Sequence, residues 1–301
     1  MIREARTNAF IFQNVVSAAG YEWVKGEDGQ PRLARQDAPG VGLHTRVLHA
    51  GLFREFANLE PTRESIQDFA TRYGDLFSTQ RGSKGESGKL MFGTLLIRWR
   101  EEIGEMRVLV GLWDQIKNRQ LAELKKIITL TDEGPWYRIV TPKQDTSGAL
   151  AYENTPSLPS EPIRVNPILF APDDVLLPAR CALQLEINKR LSEHSTVPLL
   201  TWTPDTKGTS GGYHQRVIFK PSNLLAAMWI QFAQAVTEEF QLRQCNFCGD
   251  YFPVGPGARR ADATSCGDVC RVNRWVEQQN REKKLKSKKQ KARKSLRRPA
   301  H

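Results

Sequence analysis

Four cysteines near the end of the chain limit what this region can fold into more than any other feature. They form two pairs with the spacing C-x2-C-x17-C-x3-C, at Cys245, Cys248, Cys266 and Cys270. A two-residue gap lets one tight turn direct two sulfur atoms at a single ion. Gly249 fits such a turn because glycine tolerates positive φ angles. A segment of about 30 residues buries too little apolar surface to fold alone, so a bound metal is expected to stabilise it.

The metal expected in this cluster is one structural zinc ion. Zinc binds thiolates well, and four cysteine ligands make a closed tetrahedral site with no position for a catalytic water. The start of the chain has no pattern typical of a secretion signal, which favours metal ligation over disulfides. The alternatives are four unrelated reduced cysteines, or a redox pair at Cys245 and Cys248, which would need a βαβ setting.

The residues around the cysteines predict a treble-clef zinc finger. The first pair lies on a turn, the "YFPV" run at 251–254 suits a short strand with its return, and the second pair begins a segment rich in helix formers. HNH-type nucleases also contain treble clefs, but they need histidines beside the zinc. None of the five histidines lies between Cys245 and Cys270, so this activity is not expected.

The net charge of +11 belongs entirely to the last 31 residues. Residues 271–301 contain 13 Lys and Arg and only two acidic residues, Glu277 and Glu282. Subtracting these from the chain totals of 44 basic and 33 acidic residues leaves 31 of each in residues 1–270. Such asymmetry indicates a basic tail that binds a polyanion, and a solubilising or poorly ordered terminus is the alternative.

Residues 1–240 are predicted to form a mainly α-helical body with short β-hairpins, so the fold class expected for the whole chain is α+β. Helical patterns begin near His49 and at residues 62–74, where Thr62 suits an N-cap and Gly74 a stop. Apolar residues at steps of four and three then predict a long core helix. They are Phe92, Leu96, Trp99, Ile103, Met106, Val110 and Trp113.

The rest of the body gives shorter signals. "GEDGQP" at 26–31 predicts a hairpin turn, and residues 78–90 have the composition of a flexible loop. Residues 135–170 are rich in Pro, Thr and Ser, which predicts an irregular connector where a subdomain boundary would fall.

Three elements are predicted after that connector. Residues 173–194 suit a helix, in which Cys181 is interpreted as a small core residue. "PLLTWTPD" and "GYHQRVIF" suit two strands of a hairpin, and Ser222 is expected to cap the following core helix. The predicted domains are therefore the body at 1–240, the zinc module at 241–275 and a helical or disordered basic tail at 276–301.

The sequence resembles a group of uncharacterised bacterial proteins with an α-rich body and a C-terminal cysteine module. The stretches "LFREFANLEPTRESIQDFATRYGDLF", "MWIQFAQAV" and "CNFCGDYFPVGPGARRADATSCGDVCR" carry this resemblance. The arrangement is also similar to proteins that pair an ABATE domain with a CGNR zinc finger, which are proposed to be stress-related transcription regulators. That resemblance implies that the four cysteines are zinc ligands. "CRVNR" at 270–274 stands where the family has Cys-Gly-Asn-Arg.

Together, the module and the tail predict a zinc-dependent nucleic-acid-binding protein, and the resemblance implies a bacterial transcription regulator. DNA is expected as the partner rather than RNA. Basic residues supply affinity through phosphates, whereas sequence choice needs contacts to bases. The predicted nucleic-acid-binding residues are Arg259, Arg260, Arg271, Asn273, Arg274, Arg281, Lys283, Lys284, Lys286, Lys288 and Lys289.

Two other classes of function stay open at this point. The zinc module could dock a protein or a ribonucleoprotein without catalysis, or the body could hold an enzyme site, for example near Arg98, Glu101 and His214. No catalytic motif was found, so no enzymatic activity is expected. No apolar run is long enough to span a bilayer, and a cytoplasmic location is expected. Membrane-surface binding by the tail stays an alternative, although the tail lacks the apolar face of an interfacial helix.

Overall fold

The structure, a computed structural model, is that of an α+β protein. It describes residues 12–26, 28–36, 42–77, 83–84, 90–91, 93–130, 136–139, 143–144, 150–151, 158–164, 174–194, 196–204, 213–237, 241–255 and 259–295. Seven helices and sixteen short strands lie in this part of the chain, and every sheet is antiparallel. The chain divides into two compact units. The larger lies within residues 10–48 and 52–239, and the smaller within residues 49–51 and 240–301.

The first two helices of the larger unit form where the sequence predicts them. Helix α1 spans Leu52–Ala57 and helix α2 spans Arg63–Tyr73. Thr62 caps α2, since its side-chain oxygen accepts a hydrogen bond from the backbone N–H of Ser65 at 3.2 Å. Gly74 ends the helix with a φ of 101°, a conformation that favours glycine. Both predicted boundaries are confirmed.

The long core helix is also confirmed. Helix α3 spans Leu96–Lys117, and the six predicted residues that it contains are all buried, whereas Phe92 lies outside the described residues. The ring of Trp99 lies 6.2 Å from those of Phe56 and Phe69, so α3 packs on α1 and α2 through aromatic side chains.

Three more helices complete this unit. They are α4 at Leu121–Ile127, α5 at Leu176–Glu193 and α6 at Leu224–Thr237. Helix α6 is buried over most of its length, and its Phe232 ring stacks 5.1 Å from the ring of Phe53 in α1. Cys181 is partly buried in α5. None of the helices in the described ranges is long and apolar enough to cross a membrane.

The cap predicted for α6 was wrong by one residue. The side-chain oxygen of Asn223 accepts a hydrogen bond from the N–H of Ala226 at 2.8 Å, which is the N-cap interaction. The hydroxyl of Ser222 instead donates to the carbonyl of His194 at 3.0 Å. Serine and asparagine are both common N-cap residues. Asn223 caps α6 because the hydroxyl of Ser222 bonds to the end of α5 instead.

Short antiparallel sheets precede and interrupt the helices. The predicted turn at 26–31 joins two strands, which confirms that hairpin. Strand β1 (Gln13–Ser17) pairs with β4 (Leu43–Val47). A second sheet contains β2 (Tyr21–Lys25), β3 (Pro31–Arg35) and β7 (Thr94–Leu95), with β3 in the middle. Most of the predicted flexible loop at 78–90 lies outside the described residues, apart from the two-residue strands β5 (Ser83–Lys84) and β6 (Leu90–Met91).

The prediction of an irregular connector at 135–170 was wrong for the part that the structure describes. Strand β9 (Trp136–Ile139) lies between β8 (Ile128–Leu130) and β12 (Leu158–Arg164) in one sheet. Strand β9 pairs with its sequence neighbour β8 and with the more distant β12, and Pro, Thr and Ser content alone reveals neither pairing. The remaining ladders of the unit are β10 (Lys143–Gln144) with β11 (Leu150–Ala151), and the confirmed hairpin of β13 (Thr196–Pro204) with β14 (Tyr213–Pro221).

The described residues of the smaller unit form one hairpin and one long helix. Strand β15 (Gln241–Gln244) pairs with β16 (Tyr251–Val254), and helix α7 spans Asp268–Ser295. The tail is thus helical as far as residue 295. All four clustered cysteines belong to this unit.

Candidate metal centre

The first cysteine pair lies on a tight turn at the tip of the β15–β16 hairpin. The N–H of Cys245 donates to the carbonyl of Asp250 at 2.9 Å, and the N–H of Gly249 donates to the carbonyl of Cys245 at 3.0 Å. Gly249 has a φ of 81°, as its position after the pair predicts. These bonds fold the chain back within six residues and bring Cys248 to the same side of the turn as Cys245.

The second pair lies at the start of α7. Cys266 precedes the helix by two residues, and Cys270 lies in its first turn. The N–H of Cys266 donates to the sulfur of Cys245 at 3.4 Å, which joins this segment to the hairpin tip. The spacing of three residues places both sulfur atoms of the second pair on one side of the helix start, 3.4 Å apart.

The four sulfur atoms are close enough to bind one ion. All lie within 4.8 Å of one another, and Cys248 Sγ is 3.5 Å from Cys266 Sγ. Zinc–sulfur bonds of about 2.3 Å in a tetrahedron separate sulfur atoms by about 3.8 Å. The cluster therefore matches the donor set and the spacing that a tetrahedral metal ion requires, and it could hold such an ion.

A small apolar core lies under the cluster. Cys245, Phe252 and Val254 are 3%, 4% and 1% exposed, and Cys266 and Cys270 pack against them. These side chains are too few to stabilise a fold by apolar burial alone. The ligand side of the unit is open, since Cys248 is exposed.

The electrostatics of the cluster favour a bound cation. Burial acts to raise the pKa of the Cys245 thiol, but backbone N–H groups of Cys248, Cys266 and Phe247 bond to its sulfur and lower the pKa to about 6. Burial raises the pKa of Cys248 to about 11, and burial together with the neighbouring thiols raises the pKa of Cys266 further. The thiolate of Cys245 therefore forms readily, whereas a positive charge such as a metal ion would favour the thiolates of Cys248 and Cys266.

The predicted nucleic-acid-binding residues all lie in the unit that contains the cysteines. Arg259 and Arg260 are exposed in the loop between β16 and α7, and the other nine lie along α7. Exposed side chains in the described part of α7 are those of Arg271, Asn273, Arg274, Arg281, Lys283 and Lys284, whereas the side chains of Lys286, Lys288 and Lys289 lie outside it. No nucleic acid accompanies the chain, so their contacts remain predictions.

Arg271, Arg274 and Arg281 also have side-chain contacts within the protein. Arg274 donates a hydrogen bond to the hydroxyl of Thr264 at 2.9 Å, which joins α7 to the loop before it. The carbonyl of Thr264 in turn accepts from the N–H of Asn246 at 3.0 Å, beside the first cysteine. Arg271 pairs with Asp268 at 3.2 Å. Sequence reasoning missed the role of Thr264, because nothing in the local pattern shows which loop residue meets α7.

A second group of titratable residues lies buried in the larger unit. Glu102 in α3 is 2% exposed, and its Oε2 has no hydrogen-bond partner among the described residues. This oxygen is 3.8 Å from Nε2 of His194, which is 8% exposed. Burial raises the pKa of Glu102 to about 7, and the nearby Glu105 adds to the effect. Of the residues considered for an enzyme site, Arg98 pairs with the half-exposed Glu101 at 3.0 Å, and the side chain of His214 lies outside the described part.

Comparisons with known proteins do not assign the chain to a family. No protein-family model matches it, and no curated protein and no solved structure shows significant similarity to it. The resemblance to ABATE and CGNR proteins therefore stays a prediction, and the functional argument depends on the cysteine cluster and on α7.

Proposed function

We propose that this chain is a zinc-dependent nucleic-acid-binding protein, in which a treble-clef module fixes the start of a basic helix that contacts phosphates. The observation that carries the proposal is the continuity between the two parts. Cys270, one of four clustered cysteines, lies in the first turn of the same helix that contains most of the basic tail.

Zinc is the metal that this donor set favours. Four cysteines in two pairs with a tetrahedral spacing suit zinc or iron, and zinc needs no redox partner. A cysteine pair on the turn of a hairpin, followed by a second pair at the start of a helix, is the arrangement of a treble clef. Because all four ligand positions would be thiolates, the ion's role is structural, and it supplies folding energy rather than catalysis.

Nucleic acid is the partner that the charge of α7 favours. Asp268–Ser295 contains 11 basic and three acidic residues. Arg271 and Arg281 have side chains that are 73% and 82% exposed, although each lies near an acidic neighbour. A rigid row of cations releases condensed counterions when it binds phosphates, which gives affinity that falls steeply with salt.

The test measures metal content and duplex DNA binding on the full chain. Cys245→Ser is compared with Cys181→Ser, which makes the same chemical change at a cysteine in α5 outside the cluster. We expect the protein and the Cys181→Ser control to contain one zinc per chain by elemental analysis and to bind DNA. Cys245→Ser should lose zinc and bind DNA more weakly.

A second comparison isolates the charge of α7. Replacing Arg281, Lys283 and Lys284 by glutamine removes three exposed cations, and the slope of log K against log salt should become shallower by about 2.7. The control replaces three exposed lysines of the larger unit, Lys25, Lys125 and Lys189, and should leave the slope unchanged.

The proposal fails if zinc is absent from the purified protein, or if DNA and RNA bind no more tightly to the unmodified protein than to Cys245→Ser and to the variant with glutamine at Arg281, Lys283 and Lys284. Binding that depends on the basic residues but not on Cys245 would show a tail that is only electrostatically adhesive. That result would favour the adaptor alternative, in which the zinc module docks a protein or a ribonucleoprotein.

A further inference from the structure

An exposed apolar strip follows the first two turns of α7. Val269, Val272 and Val276 are 73%, 54% and 42% exposed. Because an α-helix turns about 100° per residue, these three valines share one face within an arc of about 60°. Asn273 and Asn280 are also exposed and extend this face to about 100° of arc. We call the three valines with these two asparagines the valine strip.

The valine strip lies away from the cysteine cluster. Cys270 lies about 100° around α7 from Val269, and its sulfur lies 3.4 Å from that of Cys266. Arg274 is on the same side of α7 as Cys270, where it donates to Thr264. The contacts that hold the helix to its own unit therefore leave the strip uncovered. β-Branched residues are moderate helix formers, so three exposed valines are not explained by helix stability.

The charge of the helix decides between the occupants that an apolar helix face could have. Packing α7 against a second copy of itself would bring together two helices with 11 basic and three acidic residues each. Duplex DNA has the opposite charge along its whole length, so phosphates attract the helix that carries the strip. Charge complementarity therefore favours DNA over a second copy.

The side chains of the strip match the base edges of A·T pairs. In the major groove, thymine presents a C5-methyl group that accepts apolar contacts, and adenine presents an acceptor and a donor that suit the amide of asparagine. The major groove is about 12 Å wide and admits an α-helix, whereas the deep, narrow major groove of A-form RNA does not. From Val269 to Asn280 the helix rises about 16 Å, which corresponds to about five base pairs.

We propose that the first three turns of α7 enter the major groove of duplex DNA and that the valine strip reads A·T pairs through thymine methyl groups and adenine edges. The inference rests on the proposed nucleic-acid binding and deepens it, because phosphate contacts alone give no choice of sequence. Val269, Val272, Val276, Asn273 and Asn280 become the specificity residues.

The test uses three duplexes that share their length and charge. One contains A·T pairs in random order, one has the same sequence with every thymine replaced by uracil, and one contains G·C pairs. Uracil lacks only the C5-methyl group, so it removes the apolar contact and keeps the hydrogen-bonding edge. Burying one methyl-sized group corresponds to a factor of about four in affinity, and two such contacts correspond to about 15-fold.

We expect the uracil duplex to bind about 15-fold more weakly than the thymine duplex. The combined variant Val272→Ala and Val276→Ala should bind the thymine duplex more weakly than the unmodified protein does, and replacing thymine by uracil should weaken its binding by less than about 15-fold. Alanine is the better helix former, so these changes keep α7 intact. Val47→Ala, at a valine 56% exposed in β4, is the matched control and should keep the full preference.

The other outcomes separate the two proposals. Equal, salt-dependent binding to the thymine and uracil duplexes would overturn the valine strip as a reading surface and leave nucleic-acid binding intact. Absence of binding to all three duplexes would overturn both. Sedimentation that shows a dimer lost in the double valine variant, with DNA binding unchanged, would mean that a second copy covers the strip and would also overturn the inference.

Discussion

Replacing Glu102 by glutamine should stabilise the larger unit most strongly at alkaline pH. The carboxylate is 2% exposed. Its Oε1 is 3.7 Å from Arg98 and its Oε2 is 3.8 Å from His194. Burial raises its pKa from 4.5 to about 7, with Glu105 acting in the same direction and Arg190 and Arg98 opposing. Burial and a nearby arginine also lower the pKa of His194, so the histidine is a poor cationic partner at neutral pH.

The sign and the size of the effect follow from the pKa. A carboxyl group whose pKa is raised by folding is bound more tightly as the protonated acid, so ionisation destabilises the folded state as pH rises. This destabilisation is absent below the unfolded pKa of 4.5 and complete above about 7. Raising the pKa from 4.5 to about 7 lowers the free energy of unfolding by about 3 kcal/mol at pH 8.5 and by about 1 kcal/mol at pH 5.

The assay is urea unfolding followed by tryptophan fluorescence, for which the fully buried Trp99 in α3 is a suitable reporter. Relative to that of the unmodified protein, the free energy of unfolding of Glu102→Gln should rise by about 2 kcal/mol more at pH 8.5 than at pH 5. Glu101→Gln is the control, because its carboxylate is 47% exposed and forms a surface pair with Arg98 that is worth less than about 1 kcal/mol. Destabilisation of Glu102→Gln to the same extent at both pH values would refute the reasoning, since the carboxylate would then be favourably paired.

Four further changes test local features of the fold. Gly249→Ala should weaken metal binding about fivefold in a competition assay with a chelator, because φ is 81° and only the backbone conformation is disfavoured. Gly74→Ala should destabilise the larger unit by more than about 1 kcal/mol in urea unfolding, because φ is 101° and the new Cβ would meet the side chain of Asn14. Gly111 lies within α3, and a Cβ added there meets no other atom. Gly111→Ala should therefore stabilise the larger unit by about 1 kcal/mol. Asn223→Ala removes the cap of α6 and should lower the free energy of unfolding by about 1 kcal/mol in the same experiment.

Elements whose signal is local were the ones that the sequence could predict. The stripe that contains Trp99 and Trp113 has the period of a helix, and α3 buries that stripe. The cysteine pairs likewise have a spacing that a turn and a helix start satisfy by themselves. The pairing of β9 with the more distant β12 has no such local signal, and the sheet that joins β8, β9 and β12 was missed.

Buried polar residues also escaped the sequence analysis. Glu102 lies among surface-like charges in the sequence, and Glu101 beside it is half-exposed. The position of Glu102 in the helical repeat of α3, together with the packing of α5 against α3, shows that Glu102 faces inward. Thr264 is similar, since its importance comes from its two partners, Asn246 and Arg274, and not from its own type.

The position of Cys270 links metal binding to the formation of α7. Starting a helix is the costly step, because several residues are fixed for the first hydrogen bond. Residues 281–295 of α7 contain nine basic residues and one acidic residue, and like charges at neighbouring turns destabilise a helix. Cys270 and the bond from Arg274 to Thr264 hold the first two turns against the hairpin, so they supply the nucleus that the basic segment extends. In the proposed function the zinc therefore sets the direction of the phosphate-binding helix, and the metal site and the basic residues act as one structural element.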